Sequence, residues 1–128
     1  MNSSFNQEEL TVVWPTINVV HACHYCVPAH TGIAAMMKVD NDITESLRNE
    51  TVLANSKLEP LRTMTLSIVR NRGQVAQEEL DAFYTAGYGE QQLLEIILGL
   101  SQKIISNYTK HIANTTVITA FKKFAWSK

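Results

Sequence analysis

The sequence predicts an all-α fold, and three observations carry that expectation. Apolar residues recur at three- and four-residue spacing in segment after segment. Asn, Asp, Pro and Gly fall where such segments begin and end. No stretch alternates apolar and polar residues as a half-buried strand would. With 128 residues the chain has the size of a single domain, 1–128, and can bury a core without disulfide staples.

The first helix is announced by Asn6 as N-cap and Glu9 three residues later, a capping box, with Phe5 and Leu10 placed as a hydrophobic staple. It should run towards Ala22 on Leu10, Val13, Trp14, Ile17 and Val20, with Pro15 kinking or splitting it. A second helix is expected over 23–39, starting close to Val27 because Pro28 is tolerated only in a first turn, with Ile33, Met36 and Met37 facing inward. Asp42 and Glu45 read as a capping box for a short helix reaching about residue 53. Pro60 suits the first position of the next helix, whose apolar face is Leu61, Met64, Ile68 and Val69, and Gly73 should end it. A helix over 77–86 closes at Gly87-Tyr88-Gly89. The segment 90–111 is apolar nearly all round, which predicts a central or subunit-interface position. A last amphipathic helix is expected over 117–126.

Composition narrows the function. Eleven Lys and Arg against twelve Asp and Glu leave a net charge of -1, with the basic residues scattered, so no nucleic-acid partner is expected. The longest apolar run, 93–100, is short and broken by Glu95, so no membrane partner is expected either. The polar first residues do not resemble a secretory leader, and a cytoplasmic location is expected.

Chemistry concentrates at 21–30, His-Ala-Cys-His-Tyr-Cys-Val-Pro-Ala-His, which holds both cysteines and three of the four histidines. Three readings are open. In the redox reading, Cys23, Cys26 and His30 lie at i, i+3 and i+7, on successive turns of one helical face. A helix N-terminus lowers a thiol pKa, the first cysteine stays accessible while the second turns inward, and His30 accepts a thiol proton directly or through water. Cys26 then attacks a peroxide O–O bond, and Cys23 closes a disulfide that an outside dithiol reduces. In the metal reading, two thiolates, His30 and either His21 or His24 form a zinc site, although structural zinc sites usually bring two separated ligand pairs and His111 is remote. In the packing reading, the cysteines are small buried apolar residues.

The residues Phe5-Asn6-Gln7-Glu8-Glu9, the segment Ala22-Cys23-His24-Tyr25-Cys26-Val27-Pro28-Ala29-His30, Ala86-Gly87-Tyr88, the run 93–100 and Asn107-Tyr108 carry a family resemblance. Together they resemble the alkyl hydroperoxidase D-like branch of the carboxymuconolactone decarboxylase family, over most of the chain. The resemblance implies an all-α fold with the motif helix central and assembly as a homotrimer or homohexamer. It implies a thiol-dependent peroxidase in antioxidant defence, with no cofactor, a peroxide substrate and a dithiol or lipoyl-type reductant. Residue by residue, it makes Cys26 the peroxidatic cysteine, Cys23 its resolving partner and His30 part of a proton relay. The relay's glutamate, twelve residues before the first cysteine, is here Thr11, which cannot serve as a carboxylate base. Glu8 lies one turn earlier on the same helix. His24 and Tyr25 are auxiliary candidates beside the thiols, and Trp14 and Met36 are candidates to line the pocket around the inner sulfur.

Overall fold

The computed structural model describes residues 3–127, and among these there are six α-helices, a 3-10 helix and no strand. The helices are α1 (Gln7–Val20), α2 (Cys26–Met36), α3 (Asn41–Arg48), α4 (Leu58–Arg70), α5 (Gln77–Thr85) and α6 (Glu90–Ala113), followed by the 3-10 helix Thr119–Phe124. The all-α expectation holds, and the C-x-x-C stands at the start of α2, a helix packed between α1, α3 and the 3-10 turn.

The hub is α1, which packs against α2, α3, α4 and α6. Its capping box forms as predicted: Asn6 Oδ1 accepts from the Glu9 amide at 2.8 Å, and the Asn6 amide donates to Glu9 Oε1 at 2.9 Å. Pro15 does not split the helix, which runs unbroken from Gln7 to Val20. The proline forfeits only the bond to the Thr11 carbonyl, while Val12, Val13, Ile17 and Val19 are enclosed by neighbouring helices.

Several boundaries differ from expectation for local reasons. Helix α2 starts at Cys26, with Pro28 as its third residue, and stops at Met36 rather than 39. Lys38 takes a left-handed conformation (φ 60°) and the Val39 amide returns to the Ala34 carbonyl, so Val39 is buried while Met36 and Met37, expected inside, are exposed. Asp40, not Asp42, caps α3 by accepting from the Asp42 amide, and that helix ends at Arg48. Asn55 caps α4 through the Lys57 and Leu58 amides, which moves Pro60 from the first to the third helical position. The start of α5 and the start of α6 fall where predicted, and α6 continues to Ala113, where Asn114 in left-handed conformation (φ 51°) ends it.

The expected amphipathic helix at 117–126 is instead a 3-10 strap laid across α2. In a 3-10 helix residues i and i+3 share a face, which puts Phe121 and Phe124 together on Gly32. A Cβ on Gly32 would meet the Phe121 ring at 2.7 Å, so only glycine admits this seat unchanged. Arg48 pins the strap, donating to the Phe124 carbonyl at 2.8 Å, the Ala125 carbonyl at 3.0 Å and Thr31 Oγ1 at 3.1 Å. The Trp126 indole in turn donates to the Arg48 carbonyl. Arg48→Met should therefore release the strap, at a cost of about 2 kcal/mol for the lost charge-assisted bonds. Hydrogen exchange should quicken at residues 118–126 and stay unchanged in α1 and α4. Among the described residues, no helix is long and apolar enough to cross a membrane.

Candidate active site

The chain leaves α1 through a turn that sets the first cysteine. The Cys23 amide donates to the Asn18 carbonyl and the Ala22 amide to the Val19 carbonyl, the paired bonds of a Schellman turn. Ala22 occupies its left-handed position (φ 52°), where glycine is usual, so about 1 kcal/mol of backbone strain sits immediately before the motif. Cys23 and Cys26 are joined as a disulfide, with Cα atoms 5.2 Å apart. The Cys26 amide points at Cys23 Sγ at 3.1 Å, and Asn18 Nδ2 donates to the Cys26 carbonyl at 3.4 Å. Because Cys26 is the first residue of α2, the positive end of that helix lies beside the pair, and its first amide is directed at the Cys23 sulfur.

Burial departs from the expected division of labour. Cys23 is 0 % exposed and Cys26 3 %, so the first cysteine is not the accessible one. The Schellman turn tucks Cys23 beneath the end of α1, while α2 begins only three residues later.

One turn along α2 from Cys26, His30 meets a group that the sequence reading overlooked. Lys103 of α6 places Nζ 2.7 Å from His30 Nε2 and 5.1 Å from the centre of the Trp14 ring. The Trp14 indole stands edge-on to the imidazole at 5.7 Å. Burial, with Lys103 beside it, pushes His30 down to about 3, so the ring is neutral at physiological pH. Burial and then Lys110 push Lys103 down to about 8. Gly99, one turn earlier, explains how the lysine arrives: a Cβ there would lie 3.2 Å from Trp14 Nε1, so its absence lets α6 close on α1.

Thr11 and His30 line one apolar cavity of about 170 Å³, together with Leu10, Trp14, Ile33 and Met37. Thr11 Oγ1 donates to the Gln7 carbonyl at 2.8 Å. Glu8 does not reach over: it is exposed and faces a separate groove beside Asp40 and Asp42. Trp14 lines this cavity and Met36, 71 % exposed, does not; neither cysteine lines it, so it is not the pocket around the inner sulfur that was expected of the two.

The remaining motif residues also face partners from outside the motif. His21 Nδ1 lies 3.0 Å from Asn107 Nδ2, and the His21 ring packs on Tyr108. Burial and then His111 lower the His21 pKa, so this ring supplies no positive charge to the thiols near neutral pH. His24 is exposed and packs edge-on to Trp126, and Lys110 Nζ sits 4.7 Å from the centre of the Tyr25 ring. Lys103, Asn107 and Lys110 thus form an inner stripe of α6 facing the motif, with Gly99 a turn earlier against Trp14. The apolar residues Leu94, Ile97, Leu98, Ile104, Ile105, Tyr108 and Ile112 are exposed. Among the described residues, no three His, Cys, Asp or Glu side chains are grouped to hold a metal.

Comparison with known proteins places the fold. No protein-family model matches the chain, and no curated protein matches it in sequence. A solved structure, an uncharacterized peroxidase-related protein from Silicibacter sp. TM1040, superposes with a TM-score of 0.81 at 11% sequence identity. The match covers 94% of this chain and 64% of that one, so the chain spans under two thirds of its neighbour's length. The likeness is one of fold, an all-helical architecture, and in this chain the cysteine pair opens α2.

Proposed function

We propose that this protein is a thiol-dependent peroxidase in which Cys26 attacks, Cys23 resolves and His30 moves the proton. The observation that supports this most is the Cys23–Cys26 pair at the head of α2 with His30 one turn beyond. In the reduced form the Cys26 thiolate displaces one oxygen of a peroxide, which leaves as water or an alcohol after taking a proton. The resulting sulfenic acid condenses with the Cys23 thiol, releasing water and closing the disulfide. An outside dithiol restores both thiols and is itself oxidised to a disulfide. With both sulfurs buried, a reductant carried on a narrow arm, such as a lipoyl group, fits better than a bulky one. One equivalent of peroxide added to reduced protein should yield the Cys23–Cys26 disulfide by mass spectrometry. A reduced pair that survives that treatment would refute the proposal.

A second reading, a thiol–disulfide module without efficient peroxidase activity, draws support from Thr11 standing where the relay carboxylate would be. It predicts rapid exchange of the disulfide with dithiols and negligible peroxide consumption, and a coupled assay with both substrates separates the two.

Assembly as a homotrimer or homohexamer completes the proposal, with the exposed apolar side of α6 as the contact. Light scattering should give a mass three or six times 14.4 kDa. Ile105→Glu combined with Ile112→Glu should reduce it to the monomer while leaving helicity intact.

A further inference from the structure

We infer that Lys103 takes the place of the absent carboxylate as the last member of the His30 relay, its protonation state deciding which ring nitrogen carries the proton. The relay role rests on the peroxidase reading; the control of the tautomer does not.

The inference begins with the 2.7 Å separation of Lys103 Nζ and His30 Nε2. An ammonium group has donors and no lone pair. When Lys103 is charged, Nε2 must accept, and the single proton of the neutral ring sits on Nδ1. In that state His30 donates a hydrogen bond and cannot take a proton from a thiol. When Lys103 is neutral, its nitrogen lone pair accepts from Nε2–H, and Nδ1 becomes the base. The Cys26 proton then passes to Nδ1 as the Nε2 proton passes to the amine. The products are a thiolate, a neutral ring and an ammonium, with no proton gained or lost overall. The ring never has to hold two protons, which its burial disfavours.

The surroundings make a neutral lysine accessible. From α1 the pair meets the Trp14 indole, whose face favours the cation and opposes the effect of burial. From α6 it meets Lys110, which disfavours a second charge nearby. On the strap, Lys123 Nζ lies over the Phe124 ring. The α1 carboxylates are engaged elsewhere: Glu9 in the capping box and with Lys57, Glu8 in its own groove. Among the described residues, no carboxylate forms an ion pair with Lys103. Burial and Lys110 prevail over the indole, and the lysine's transition falls at about 8.

Nitrogen NMR of the disulfide-form protein labelled in its histidine rings reads the tautomer directly. Between about pH 6 and about pH 10, His30 Nε2 should change from unprotonated to protonated, and Lys103→Met should abolish the step. An unchanged tautomer across that range, or a step that survives in Lys103→Met, would overturn the assignment. In reduced protein, Lys103→Met should slow peroxide turnover about a hundredfold. Lys103→Glu, whose carboxylate accepts from Nε2–H, should recover part of the loss and extend activity to lower pH. A tautomer step without any peroxide turnover in the wild type would sink the peroxidase reading and leave the tautomer assignment standing. Peroxide turnover indifferent to Lys103→Met would retain the peroxidase and remove Lys103 from its relay.

Discussion

Steady peroxide turnover should be abolished in Cys26→Ser, whereas Cys23→Ser should consume one equivalent of peroxide and stop. The difference follows from where the two sulfurs sit. Cys26 is the first residue of α2, at the positive end of that helix with His30 one turn beyond, while Cys23 belongs to the turn that ends α1 and takes the Cys26 amide on its sulfur. A serine at 26 feels the same potential, but its hydroxyl remains protonated at any accessible pH and is a poor nucleophile towards an O–O bond. The loss should be about a thousandfold or more. In Cys23→Ser the first step survives, and Cys26 should gain the mass of one oxygen as sulfenic acid, with no internal thiol to resolve it. Peroxide consumption with a dithiol reductant checks the first outcome, and peroxide consumption with intact-protein mass spectrometry in the absence of any added thiol checks the second. Turnover that persists in Cys26→Ser would transfer the attack to Cys23. Both positions are buried, so thermal melts of the two variants separate a chemical loss from a folding loss.

The parts of this fold that were legible in the sequence are those decided by neighbours in the chain. The Asn6–Glu9 capping box, the 77–86 helix and the Gly87-Tyr88-Gly89 turn depend on contacts three or four residues apart, and they stand where the pattern puts them. The failures arise where a distant partner decides. Residues 117–126 have an amphipathic pattern, but the chain tightens into a 3-10 turn because Gly32 offers a seat for two rings and Arg48 collects two carbonyls. Asp42 and Glu45 have capping-box spacing, yet the turn after α2 delivers Asp40 first. Counting apolar residues in α6 did not show which side meets the motif. Its Leu and Ile positions predicted a central or subunit-interface helix; Ile96 is buried in the core, Gly99 closes on Trp14, Lys103 and Asn107 meet the motif, and much of the remaining apolar surface is exposed. The same long-range dependence hid part of the site. Cys23, Cys26 and His30 are close in sequence and could be found by spacing, but Lys103 lies 73 residues from His30. Its one local signal is a small residue a turn before a lysine in an otherwise apolar run.

Acid should destabilise the protein more steeply than it destabilises His30→Gln. The His30 pKa is 6.5 ordinarily and about 3 in the fold, because burial and the neighbouring Lys103 oppose a charged ring. Below about 6.5 the unfolded chain binds a proton there that the folded protein does not. The stability this neutral ring contributes is therefore complete above the unfolded value and lost as pH falls towards the folded one. The slope is about 1.4 kcal/mol per pH unit, with a ceiling of about 5 kcal/mol for the whole interval. Against a total stability of about 5–15 kcal/mol, that share is large. His21, also held below its ordinary value by burial, adds to the trend in the same direction. Urea midpoints for wild type and His30→Gln should lie closest to parallel above pH 6.5 and converge as pH falls towards 4, the wild type losing more. Parallel curves throughout would mean that the folded ring takes up a proton as readily as the unfolded one. They would also remove the basis for a relay that passes protons without ever charging the imidazole, because its acid sensitivity and its role between Cys26 and Lys103 have one cause: a neutral ring held away from water against Trp14.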